Sequence, residues 1–190
     1  YGTQGKNNVE FCHPFIKRNT IQSRNLALAG NFNLVNTEEL FGLVNIDPGV
    51  FQKQSDLAAM MEVVHHFLVQ ADEANPGHPD IAAVLRNASK WFDGGYHFGG
   101  LVGNGDSFVM RDAHGIRPSY YYISEDVIVA ASERAAIRTS FNVGENEVKE
   151  LMPGQALIVY ADGRYSVEQI LEPKERKACS FERIYFSRGN

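Results

Sequence analysis

An α+β fold is predicted by three observations. Through residues 55–92, apolar side chains recur every three or four positions, as one face of a helix requires. From residue 96 onward the pattern changes to short β-rich runs. Those runs are separated by Gly, Asn and Asp turns, so the sheet is read as mostly antiparallel.

Taken in order, residues 1–24 are polar, carry Lys6-Asn7-Asn8 and Pro14, and read as a loop. Leu26-Ala27-Leu28-Ala29 is a short apolar run, broken by Gly30 and followed by Asn31-Phe32-Asn33-Leu34-Val35. This predicts a buried strand, a tight turn and a second strand. Asn36, with Glu39 three positions on, resembles a helix N-cap, and Leu40, Phe41 and Val44 supply its apolar stripe. A second helix is predicted from Ser55-Asp56 through Leu57, Met60, Met61, Val64, Phe67 and Leu68. A third runs from Pro79, suited to a first helical position, through Ile81, Val84, Leu85, Ala88, Trp91 and Phe92 to Asp93-Gly94-Gly95. Strands are expected at 96–102, 107–111, 120–123, 127–131, 156–160 and 165–170, with a short helix over 133–141. Ala161-Asp162-Gly163 forms the last hairpin turn.

The bulk figures fit one sizeable domain: 190 residues, 44% hydrophobic and 22% charged. A net charge of −5 without a basic block argues against a nucleic-acid partner. No apolar run has membrane-spanning length. Two cysteines far apart, Cys12 and Cys179, do not make a disulfide scaffold, so a cytoplasmic, reducing home is expected. The first residue is Tyr1 and the last is Asn190, and both ends read as cuts through a longer protein.

Four groups of residues can carry chemistry. A turn at Gly30-Asn31-Phe32-Asn33 aims backbone N–H groups and an amide side chain at one spot, as an oxyanion site needs, although Asn and Gly also build plain turns. Ser55-Asp56 reads as an N-cap, or as a cap beside a ligand-binding carboxylate. Arg111-Asp112-Ala113-His114-Gly115-Ile116-Arg117-Pro118 is a charged turn whose Asp and Arg fix its shape. The histidines lack metal-ligand spacing: His65 and His66 are adjacent on a helix, and His13, His78, His97 and His114 are scattered. Cys12-His13 is a thiol beside a base, which by itself does not make a catalytic pair.

Several segments together resemble amidophosphoribosyltransferases, whose glutamine-hydrolysing part is a class II (N-terminal-nucleophile) glutamine amidotransferase. Tyr1-Gly2-Thr3-Gln4-Gly5 is similar to their segment after an early strand, and residues 26–36 to their "LALAHNGNLVN". Ser55-Asp56 matches their "SD", residues 111–118 their "RDPxGIRP", residues 131–133 their "ASE" and residues 150–154 their "EVxPG". Residues 179–188 resemble "CSFExIYFxR", the motif most specific to the purine enzyme.

The resemblance implies a four-layer αββα sandwich of antiparallel sheets, with residues 1–178 as an amidotransferase domain incomplete at its N-terminus. Residues 179–190 would be a closing strand leading to an absent phosphoribosyltransferase domain. The implied function is the ammonia-supplying half of the enzyme that makes 5-phosphoribosylamine, the first step of de novo purine synthesis. An N-terminal Cys attacks glutamine with its own α-amino group as base. The side chain of Asn31 and the backbone N–H of Phe32 would hold the oxyanion, Asp56 the glutamine α-amino group, and Thr3 the carboxylate. The family's Cys and carboxylate-binding Arg would precede Tyr1, so the chain alone is expected to be inactive. Phe32 stands where the family has glycine, which crowds the expected turn. Cys179 matches an iron–sulfur ligand of some members, with the other ligands in the second domain. No cofactor is expected in this chain; magnesium with phosphoribosyl pyrophosphate, and in some members the cluster, belongs to the full-length enzyme. Glutamine and the second domain are the expected partners, in a homo-oligomer, with neither nucleic acid nor membrane. The alternatives are a pseudo-amidotransferase that binds glutamine without catalysis, or another class II amidotransferase.

Overall fold

The computed structural model describes residues 12–43 and 55–185. Strand β1 (Phe15–Lys17) is followed by a 3-10 turn (Gln22–Arg24) and by β2 (Leu26–Leu34) and α1 (Thr37–Leu43). Helices α2 (Asp56–Ala74) and α3 (Ile81–Ala88) precede the strands β3 (Gly94–Val102), β4 (Ser107–Arg111), β5 (Tyr120–Ile123) and β6 (Ile128–Ala131). Then come α4 (Arg134–Phe141), β7 (Lys149–Glu150), β8 (Gln155–Val159), β9 (Tyr165–Gln169) and α5 (Ser180–Tyr185).

All described strand pairs are antiparallel, in a six-stranded sheet ordered β1-β2-β3-β4-β8-β9 and a three-stranded sheet ordered β6-β5-β7. Alternation of side chains across a strand assigns the faces. Leu26, Leu28 and Leu34 of β2 and Tyr96, Phe98 and Val102 of β3 are buried with Leu57, Met60, Val64 and Leu68 of α2, which form the main core. The other face of that sheet carries Ala27, Ala29, Leu101, Val109 and Leu157, opposite Ile128 and Ala130 of β6 across an open apolar cleft of about 440 Å³. The second sheet's far face holds α4: the rings of Tyr122 and Phe141 lie 6.3 Å apart, and Arg134 lies over Tyr120 at 4.9 Å. Helices, sheet, sheet and helix therefore stack in four layers, the αββα sandwich that was expected.

Five local expectations are corrected. Residues 1–24 were read as a loop, yet Phe15–Lys17 pairs with Leu26–Leu28 as an edge strand; the alternating Phe15 and Lys17 pack while Ile16 faces out. No turn interrupts residues 26–34, because all nine pair continuously with residues 94–102. Helix α3 starts at Ile81, since Asp80 caps it through Ala83 N–H at 3.0 Å, and it passes into a 3-10 turn at Ser89. Asn36 does precede α1, but its side chain is drawn to Trp91 O (2.8 Å) and Asp93 N–H (3.1 Å). Finally, residues 180–185 form a helix where a closing strand was expected. Val44 lies outside the described residues.

Candidate functional site

The edge of β2 past its pairing with β1 organises the site. Pairing to β1 ends at Leu28, opposite Phe15. Beyond it, Gly30 N–H donates to His13 Nδ1 at 3.3 Å, and Leu34 N–H donates to Asp56 Oδ2 at 2.9 Å. N–H groups along a strand alternate between its two neighbours. Phe32 lies midway in an uninterrupted ladder, so its N–H points to this same edge, away from β3. The residue proposed from sequence as an oxyanion donor thus presents its N–H between His13 and Asp56. Two strand residues span about 6.6 Å, of the order of the separation between the carboxamide oxygen and the α-nitrogen of an extended glutamine.

Asp56 is placed by the start of α2. Ser55 is the N-cap, its Oγ accepting from Ala58 N–H at 3.2 Å, which frees the next carboxylate from capping. Asp56 instead accepts from Leu34 N–H and, at 3.4 Å, from Thr37 Oγ, tying helix to strand edge. A carboxylate offers about four lone-pair sites, so capacity for an ammonium group remains.

Phe32 is explained by its neighbour. A Cβ on Gly30 would lie 2.5 Å from the Phe32 ring and 2.5 Å from His97 O, so Gly30 leaves the space that ring uses. The segment is extended, neither residue having a positive φ, and the feared crowding of a turn does not arise. His13 stacks on Phe32 from outside, with ring centroids 5.8 Å apart and planes at 24°. Asn31 points to the opposite face, its side chain exposed beside its cross-strand partner His97. Burial, and secondarily the charge of Arg111, pushes the His97 pKa down to about 4, so its imidazole is neutral. Its Nε2 is buried without a hydrogen-bond partner among the described residues.

The structure brings Phe32 and Asp56 to one strand edge, with the Asn31 side chain on the adjoining face. Thr3 lies outside the described residues. Cys179 lines a different cleft, of about 270 Å³, with Arg111, Ile116, Arg134 and Arg176, and donates its N–H to Ile116 O at 3.0 Å. No group of three or more His, Cys, Asp or Glu that would hold a metal occurs among the described residues. An iron–sulfur cluster needs several thiolates, and Cys179 offers one. The Cys12-His13 pair is not a thiol–base dyad at Nδ1, which is engaged with Gly30. Sequence reasoning missed His13 and His97 as site neighbours. For His97 the β2–β3 register carries the signal; for His13, in a segment read as a loop, nothing does.

The charged turn after β4 supports this end of the sheet. Arg111, 1% exposed, donates to Arg117 O (2.7 Å), Glu150 Oε1 (2.8 Å), Leu151 O (2.6 Å) and Gly115 O (3.0 Å). Asp112 accepts from the N–H groups of His114, Ile116 and Arg117. Gly115 takes φ +60°, and a Cβ there would meet the Arg111 guanidinium at 3.2 Å. The structural role expected of this motif is what the geometry displays.

The αββα sandwich of antiparallel sheets is shared with solved glutamine phosphoribosylpyrophosphate amidotransferases. No protein-family model matches the chain. Along nearly its whole length, however, it is similar to amidophosphoribosyltransferases. It is 31% identical to the amidophosphoribosyltransferase of Bacillus subtilis over 99% of this chain and 36% of that protein. It is 33% identical to amidophosphoribosyltransferase 1, chloroplastic, of Arabidopsis thaliana, over 100% of this chain and 31% of that protein. A solved structure of the Bacillus subtilis glutamine phosphoribosylpyrophosphate amidotransferase, complexed with ADP and GMP, superposes with a TM-score of 0.71 at 25% identity. It covers 96% of this chain and 37% of that one. The chain therefore spans about a third of the length of these relatives.

Proposed function

We propose that this chain is the glutamine-binding, ammonia-supplying part of an amidophosphoribosyltransferase. In that enzyme ammonia from glutamine would replace the pyrophosphate of phosphoribosyl pyrophosphate, held with magnesium in a second domain, to give 5-phosphoribosylamine. The carrying observation is the edge N–H of Phe32 set between His13 and the Asp56 carboxylate. The carboxamide oxygen of glutamine would lie against Phe32 N–H, with Asn31 contributing from the adjoining face, and its α-ammonium against Asp56. A backbone donor fixed in a strand needs no reorganisation as charge develops on that oxygen. Thr3 would join at the substrate carboxylate. A cytoplasmic homo-oligomer, with neither nucleic acid nor membrane as partner, completes the reading; no helix among the described residues is long and apolar enough to cross a membrane.

A second reading is favoured by one observation, the Phe32 ring packed over Gly30, which makes the donor segment a plain strand. The chain would then hold glutamine without hydrolysing it. Titration calorimetry with L-glutamine tests what the two readings share: saturable binding, weakened about tenfold or more in Asp56→Asn by loss of a charge-assisted contact. Absence of binding contradicts both. Release of glutamate by the protein that carries this chain separates them.

A further inference from the structure

Among the described residues, the half-buried Asp56 carboxylate is held by neutral donors alone. Its Oδ2 accepts from Leu34 N–H at 2.9 Å and its Oδ1 from the Thr37 hydroxyl at 3.4 Å. The carboxylates of Glu62, Asp72 and Glu150 each take a Lys or Arg of this chain as partner, and Asp56 joins none of the ion pairs among the described residues. A carboxylate plane turns easily about its last torsion. One N–H on one oxygen would leave the other oxygen free to swing, so the Thr37 hydroxyl is the second point of attachment.

That hydroxyl is itself firmly placed. Thr37 is the first residue of α1, and Asn36 before it is tied on three sides. The Asn36 backbone O accepts from Leu40 N–H at 3.2 Å, its amide donates to Trp91 O at 2.8 Å, and its amide oxygen accepts from Asp93 N–H at 3.1 Å. Leu40 and Phe41, one turn on, are buried in the main core. From this corner Thr37 Oγ1 reaches two acceptors, Asp56 Oδ1 at 3.4 Å and Leu34 O at 3.5 Å. One proton serves both, which accounts for two long contacts. Helix α1 does not need the hydroxyl, since alanine is the better helix former. What threonine supplies, and alanine or valine cannot, is a donor to Asp56. We propose that Thr37 is a positioning residue for substrate selection: with Leu34 N–H, its hydroxyl fixes the plane of the Asp56 carboxylate so that the remaining lone pairs receive the α-ammonium group of glutamine. Neutral donors leave the carboxylate's charge to the ligand, and a carboxylate set in advance loses less freedom when the cation arrives. This rests on the glutamine-binding reading above.

The test compares Thr37→Val, which keeps the branched shape and loses the donor, with Thr37→Ser, which keeps the donor. Each is titrated with L-glutamine by calorimetry alongside the parent chain, Asp56→Asn and the double variant Thr37→Val/Asp56→Asn, with stability followed by urea unfolding. The expected result is glutamine binding weakened about three- to tenfold in Thr37→Val, the size of one lost hydrogen bond. Thr37→Ser binds within about twofold of the parent, and the unfolding midpoints of both stay near the parent's. The double variant binds no more weakly than Asp56→Asn alone, because Thr37 acts through that carboxylate. Should Thr37→Val fail to fold, Thr37→Ala takes its place with the same expectation. Parent-like binding by the variant without the hydroxyl, equal weakening in Thr37→Ser, or an undiminished further loss in the double variant overturns the positioning role while leaving the glutamine reading intact. If Asp56→Asn leaves no measurable binding, the contrast between Thr37→Val and Thr37→Ser decides. If the parent chain binds no glutamine, or Asp56→Asn binds it as the parent does, the site reading falls and takes this inference with it.

Discussion

Gly30 and Phe32 are packed as a pair, and substitution should expose it. A methyl on Gly30 would press on the Phe32 ring and on two backbone positions, His97 O at 2.5 Å and Phe98 Cα at 2.7 Å. Gly30→Ala is expected to lower stability by about 1–3 kcal/mol. Adding Phe32→Ala should recover only part of this, because the backbone contacts stay; full recovery in urea unfolding contradicts the packing account. His97 makes a prediction in pH. Its folded pKa, about 4, lies below the ordinary 6.5, so between those values the unfolded chain binds a proton that the folded chain refuses. Stability is thus complete above pH 6.5 and falls as pH drops toward 4, by about 1.4 kcal/mol per pH unit within that window. His13 and His65, also lowered chiefly by burial, act in the same direction. Urea midpoints measured from pH 7 to 4 check this, and His97→Gln should flatten the slope.

Elements with a strong period were legible in the sequence, and elements defined by their partners were not. Helix α2 announces itself through Leu57, Met60, Met61, Val64 and Leu68, and its start through Ser55, because burial and capping are local in sequence. Strand β2 was cut in two at Gly30, since Gly and Asn punctuate turns in isolation. Only pairing with Gly94–Val102 reveals that glycine is there for close packing. The three-residue β1 and two-residue β7 owe their existence to a neighbouring strand and are too short for a period to be legible in the sequence. Asn31, Phe32 and Asp56 came from sequence, but their relation to His13 did not, since the contact to Gly30 joins residues 17 positions apart. The turn after β4 is the clearest case of an element held by side chains. Arg111→Ala should cost about 3–5 kcal/mol, leaving three carbonyls without their donor and Glu150 with Arg176 alone. Arg111→Lys should rescue little, because an ammonium cannot reproduce the fork. Unfolding midpoints for the two variants check this, and a wild-type midpoint for the lysine variant contradicts it.

Across the whole molecule, two antiparallel sheets face each other with helices outside, and the candidate site sits at one end of the larger sheet, where β2 outruns β1. The same end is braced by α2 through Asp56 and, two strands away, by the Arg111 turn. Chain-long likeness to amidophosphoribosyltransferases fixes the fold class, while the edge geometry says how this particular sequence would hold glutamine with a phenylalanine at the donor position. The central claim is that Phe32 N–H, flanked by His13 and Asp56, receives the substrate. It is tested most directly by following backbone amide resonances during titration with L-glutamine. The account predicts a saturable shift of the Phe32 amide that disappears in Asp56→Asn. Saturable binding that leaves the Phe32 amide unmoved would contradict it.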